Sequence, residues 1–392
     1  MKLRIGITKK LIFVSIGLTF ILFIILNFYT NSSNIMKRSQ LTSQERHRIS
    51  NLQSHGQGWS IVDRVVSGVE LAGLELNGAN LENVEFETVD LTGIKVLSSK
   101  FVKVDFGASS LRDAKFENVE FTRCSFTGTE AEGVQFVSCV FRDCTSTRFN
   151  LARAKLNGCD FEEFEAKSVS FEEASIEQSR FISSKLKGWD FYSTNFKNVQ
   201  FVDNVLYEMT FFKSRGTEMT VRGGELSESG FFSSKFEELH FENVNLSEIT
   251  FKGSNLLRSK IVECPGISSL TFLRCELGEF QVLKCSKLFQ LQFYETVLKG
   301  VTISESEFHM WDLSDCEVDE SCRFQNLDAF QLDWSGSSIK GLLIENSKFD
   351  GLFDLTEAKI QGLKLNNISY GSKLEIDSAD LEYLESDRFG QR

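Results

Sequence analysis

The chain of 392 residues holds a single proline and four histidines, and it lacks any C-x-x-C pair and any glycine-rich phosphate loop. One proline excludes a proline-rich linker or a polyproline rod. His47, His55, His240 and His309 are scattered, so no nucleophile, base and orienting group can be assembled from their spacing. Basic charge is in deficit as well. A net charge of −12 and a pI near 5.1 disfavour a basic face for nucleic acid phosphates or anionic lipid. No catalytic residue, cofactor, metal ion or direct nucleic acid partner is therefore expected.

What is present in excess is phenylalanine, 37 residues of it, and one long apolar run. "LIFVSIGLTFILFIIL" extends through Asn27, Phe28 and Tyr29, so residues 11–29 approach the roughly 20 residues needed to cross a bilayer. No A-x-A-like cleavage site follows, which points to an uncleaved transmembrane anchor. Lys2, Arg4, Lys9 and Lys10 in the 1–10 flank precede it, whereas Lys37, Arg38, Arg46 and Arg48 on the far side are mixed with Glu45. The expected topology is single-pass, with the N-terminus cytoplasmic and the rest extracytoplasmic. Residues 30–70 read as a juxtamembrane spacer in which "TSQE" at 42–45 has capping-box form, predicting a short helix over 43–54.

From Leu71 a period of five takes over. Stepping in fives from Leu71 to Ile261 visits 39 positions, and 35 of them are Leu, Phe, Ile or Val. A helix repeats its buried face at 3.6 residues and a strand at 2, so neither alone has this period. A small residue sits two places before each large one, as Ala114, Val119 and Cys124 do before Phe116, Phe121 and Phe126. Beyond Ile261 the frame slips forward by one residue several times, first beside the only proline in "CPG" at 264–266. Repetition at fixed period means a solenoid.

The pattern resembles the pentapeptide-repeat family, with consensus A(D/N)LxX, in "ANLEN" (79–83), "AKFEN" (114–118) and "AKLNG" (154–158). The resemblance implies an all-β solenoid over 71–385, a right-handed quadrilateral β-helix preceded by the one transmembrane α-helix and followed by a short tail, 386–392. Four pentapeptides would make one square coil, its large and small positions pointing inward. Successive coils would stack at about one strand spacing, ~4.8 Å. Phe101, Phe121, Phe141, Phe161, Phe181 and Phe201 would then form one buried ladder, and about fifteen coils a rod ~70 Å long.

All nine cysteines fall at the small inward position, which reads as packing. Cys124 and Cys144, and Cys139 and Cys159, are one coil apart, so disulfides between coils are conceivable. An odd number of thiols suits a reducing compartment and conflicts with the topology above. The carboxylates of "DFEEFEA", "FEEASIE" and "KFEELHFE" read as a solvated rod surface. Tyr192, Phe212 and Phe232, spaced by one coil just after the central position, should stack on one wall, either as an interaction stripe or beneath a local covering.

Three functions fit. The first is a non-catalytic, membrane-anchored rod presenting its walls to a protein partner or to itself. The second follows from the resemblance: some members mimic duplex DNA and act on type II topoisomerases, which length and charge permit but an extracytoplasmic location does not. The third, a carbohydrate-acting β-helix enzyme, needs long wall loops that such short sides leave little room for.

Overall fold

The computed structural model describes residues 38–50, 56–370, 374–375 and 380–386. Short strands such as Lys115–Glu117, Glu120–Thr122 and Val140–Arg142 centre on one large buried residue and alternate with corners. Each pairs in parallel with the strand one coil away, as in Lys100↔Glu120, Phe101↔Phe121 and Val102↔Thr122. The result is an all-β solenoid of about 15 turns.

The corners explain why the chain turns at such short intervals. The residue two places after the central one adopts the left-handed region, with φ of 55° at Lys103, 54° at Arg123 and 52° at Asp143. That conformation is unfavourable for residues with a Cβ. It is offset by hydrogen bonds from the corner N–H to the next coil, such as Lys103 N to Thr122 O and Arg123 N to Arg142 O, both 2.8 Å.

Four walls result, each recognised by its central residues. The first carries Phe101 to Phe201, the second Phe106, Phe126 and Leu186, the third Leu111, Phe191 and Phe211, the fourth Phe116, Phe136 and Phe196, all buried. Ring centroids on the first wall lie 5.4, 4.7, 4.4, 4.7 and 4.8 Å apart from Phe101 to Phe201, nearly parallel after the first, edge-on pair. Burying each such ring contributes about 1.5–3 kcal/mol. Where the central residue is small, a neighbour fills the space. Phe149 stacks 5.2 Å from Phe126 beside Ser146, and Phe164 lies 5.5 Å from Phe161 beside Ala166.

The solenoid begins earlier than residue 71. Strand Ser60–Val66 pairs with Asn80–Phe86 in the register Ser60↔Asn80, and Gly56–Gln57 pairs with the next coil as Gly56↔Leu76 and Gln57↔Asn77. Ile61 and Val66 already keep the repeat, but Trp59 and Arg64 occupy places where small residues mark the pattern later. Much of what reads as spacer is therefore wall. The helix α1 spans Ser43–Ser50. Thr42 N donates to Glu45 Oε2 at 2.8 Å and Glu45 N to Thr42 Oγ1 at 3.2 Å, a reciprocal cap. Residues 51–54 of the expected helix, the apolar run at 11–29 and the tail at 387–392 lie outside the described residues. Among the described residues no helix is long and apolar enough to cross a membrane.

After Ile261 the register lengthens. Leu246 bridges Ile267, and Ile267 bridges Leu288, so that each step is one residue longer than in the earlier coils. Both extra residues fall at the corner between the first and second walls. The coils keep stacking while the surface changes.

Candidate interaction surface

Some outward positions break the polar rule of the walls. Tyr192, Phe212 and Phe232 do lie opposite one another in successive strands of the third wall. Tyr192 and Phe212 stack at 5.5 Å, and the Lys213 Nζ sits 5.6 Å from one ring and 5.3 Å from the other. Phe232 departs from this. Its ring folds back over Gly230, occupying the space a Cβ there would need. All three are half-buried. The same column continues through Lys252, Leu273 and Tyr294, of which Tyr294 is 40% exposed.

A second aromatic column, not anticipated from the periodicity, stands on the second wall. Phe289, His309 and Phe330 stack at 5.0 and 5.3 Å with ring planes within 10° and 4° of parallel. Phe289 and Phe330 are 61% and 52% exposed, the most open large apolar side chains among the described residues. Together with Lys287, Glu307, Asp328 and Asp350 they line a shallow recess of about 320 Å³. The signal in the sequence was a count restarted at Leu288, Phe308 and Ala329, each followed by one of these rings.

The cysteines are occupied in packing. The Cys124 thiol donates to Phe101 O at 3.4 Å in the preceding coil, and Cys144 Sγ in the following coil receives Cys124 N at 3.3 Å. Serines at the same position do likewise: Ser234 Oγ donates to Phe211 O at 3.0 Å and receives Ser214 N at 3.0 Å. Cysteine and serine are thus interchangeable rungs. All nine thiols are buried and free, and burial pushes Cys275 up to about 11 and Cys316 and Cys322 up to about 12. Those three are poor nucleophiles at neutral pH.

Charged side chains pair along the walls. Arg142 reaches Glu120 at 2.9 Å and Glu162 at 2.8 Å, and Arg180 meets Asp160 at 2.6 Å. His240, half-buried next to Lys260, is held below the usual histidine range, first by burial and then by that charge. His309 lies one wall and several coils away from it, so the two do not converge. No group of three or more metal-ligating side chains occurs among the described residues. Distal carboxylates form a column instead, Asp312, Asp333 and Asp354 in register on the third wall. Burial raises the Asp312 carboxyl above its ordinary value, although Ser314 N and Oγ both donate to it.

The family model for pentapeptide repeats matches residues 99–143, with eight copies, within these coils of short sides. The chain carries pentapeptide repeats. Similar solved structures include a trypsin-treated QnrB1, a plasmid-mediated fluoroquinolone resistance protein, at 14% identity over 57% of this chain and 91% of that one, with a TM-score of 0.24. HetL from the cyanobacterium Nostoc sp. strain PCC 7120 matches at 11% identity over 71% and 95%, TM-score 0.24. The periplasmic alginate epimerase AlgG matches at 8% over 85% and 84%, TM-score 0.20. At such TM-scores no role is carried over from these proteins. No curated protein matches the chain.

Proposed function

We propose that this pentapeptide-repeat solenoid is a non-catalytic interaction rod, held at a membrane by residues 11–29 with its repeats outside the cytoplasm. The observation that carries the reading is the pair of outward aromatic columns on a rigid tube. Contiguous exposed apolar groups mark contact surfaces more often than isolated ones do, and aromatic rings concentrate binding energy when a partner desolvates them. The thiols serve as core rungs, and many carboxylates of the earlier coils are held in ion pairs.

The segment after residue 37 is docked on the first coils. Arg38 pairs with Glu85 at 2.8 Å and donates to Asn83 Oδ1 at 3.1 Å, and Leu41 is buried. Arg46 donates to Ser67 O at 2.6 Å. Only residues 30–37 separate this docked segment from the apolar run, a reach of at most about 25–30 Å. The first coils would stand next to the bilayer and the later ones project from it.

A reporter fused after Arg392 tests the topology: extracytoplasmic activity and retention on membranes after carbonate washing are expected. Activity of a cytoplasm-only reporter there would reverse the orientation. Replacing Tyr192, Phe212 and Phe232 together with Ser should preserve folding and remove cross-linking through the third wall. Loss of folding would make them core.

A further inference from the structure

The charge of this protein is not spread along the rod. Residues 301–357 hold thirteen carboxylates, among them Glu307, Asp312, Asp328, Asp333 and Asp354, against three bases, Arg323, Lys340 and Lys348. That stretch accounts for ten of the chain's excess of twelve negative charges. Lys348 is already paired with Asp350. His309 and Phe330 of the open column lie in this stretch, and Phe289 lies one coil before it. On one side Glu307 and Asp328 flank His309 and Phe330 in register, with Lys287 beside Phe289, and the third-wall column of Asp312, Asp333 and Asp354 lies around the corner on the other.

The ring geometry narrows what could sit there. Parallel rings with centroids 5.0 and 5.3 Å apart leave no slot for a flat base or sugar between the rungs. The rings offer their edges instead, as a ribbed aromatic strip along the rod axis, flanked by carboxylates on both sides at the His309 and Phe330 rungs. An α-helix lying along that axis rises about 5.4 Å per turn, close to the spacing of the rungs, so its apolar residues at i, i+4 and i+7 would meet successive ribs. Its flanks would have to be basic.

We infer that the strip of Phe289, His309 and Phe330 with Glu307 and Asp328 is a docking face for a basic amphipathic helix of a partner protein. This rests on the reading of the chain as an interaction rod. Apolar contact along the ribs supplies affinity, and the acidic rows supply orientation and a fast, salt-sensitive encounter.

The test uses the full chain in detergent and short synthetic peptides: an amphipathic Leu/Lys helix, a scrambled peptide of the same composition, and a Leu/Glu helix. The Leu/Lys helix should bind at least about tenfold tighter than either control, corresponding to about 1.4 kcal/mol. Phe289→Ser with Phe330→Ser should abolish that preference while circular dichroism and melting stay unchanged. Glu307→Gln with Asp328→Asn should weaken binding and flatten its salt dependence. Equal binding of scrambled peptide, or an unaltered preference in the Phe variants, overturns the inference. So does a dimer in sedimentation that those variants dissolve, because the occupant is then a second copy. If the peptides fail while cross-linking through Tyr192, Phe212 and Phe232 persists, this inference falls and the rod reading stands.

Discussion

The coils before Pro265 and those after it solve the same packing problem with different strictness. Before it, strand partners keep one fixed step, as in Phe141↔Phe161 and Phe231↔Phe251, and the core is built largely of stacked phenylalanines. After it, partners one residue further apart are frequent, as in Phe272↔Phe293 and Trp311↔Leu332. The later core also takes in Trp311 and Trp334, whose indole N–H groups, like that of Trp189 in the earlier coils, have no hydrogen-bond partner. Charge differs in the same sense. Ion pairs link coils up to Glu295 and Lys299, whereas acids dominate residues 301–357. The strict repeat makes the earlier region the stem, and outward aromatic columns stand in both regions.

The largest effect that separates the two regions should come from the stem. Phe141 lies between Phe121 at 4.7 Å and Phe161 at 4.4 Å, so Phe141→Ala opens a cavity inside a ladder. Urea unfolding should show a loss of about 3–5 kcal/mol. A change at the neighbouring exposed Arg142 should be far smaller, since its two ion pairs face solvent. Equal losses would show the inward frame to be wrong.

Next in size is overpacking. Gly216 stands at a central position of the fourth wall, and an added Cβ would come within 2.5 Å of the Phe236 ring. The rings of Phe196 and Phe236, two coils apart, approach to 6.2 Å across it. Gly216→Leu restores the repeat consensus yet should destabilise by about 1–3 kcal/mol, measured by the same unfolding. A stabilised variant would mean that the repeat pattern outweighs local packing.

A smaller effect is specific to the acidic region. Burial holds the Asp312 carboxyl above its ordinary value of 3.8, so its ionised form disfavours the fold at neutral pH. That penalty is present above the folded-state pKa and disappears as pH falls through it toward 3.8. Asp312→Asn, which keeps an acceptor for Ser314, should raise the melting temperature at pH 7 and lose that advantage on acidification. A pH-independent gain would point to packing instead.

How much of this was legible follows from the same contrast. The ladder from Phe101 to Phe201 could be counted because nothing interrupts the frame there, and the column of Tyr192, Phe212 and Phe232 could be counted for the same reason. The folding of Phe232 over Gly230 could not, since periodicity places a side chain on a wall without setting its rotamer. Phe289, His309 and Phe330 escaped because two slips precede them at one corner, so they no longer fall in the series begun at Leu71. The start of the solenoid was hidden by Arg64, which sits where a small residue is expected. On its N-terminal side it meets only the short strand Ser39–Gln40, so its guanidinium leaves the tube and pairs with Glu45 of α1 at 3.1 Å.

In the proposed function the tube carries the fold and the outward rings carry the binding. It is tested most directly by placing a photoreactive residue at His309 in the membrane-bound protein and comparing it with the same protein bearing Phe289→Ser and Phe330→Ser. A discrete protein adduct that the Ser substitutions remove, with the melting curve unchanged, is expected. An adduct that survives them, or a melting curve that collapses with them, would contradict it.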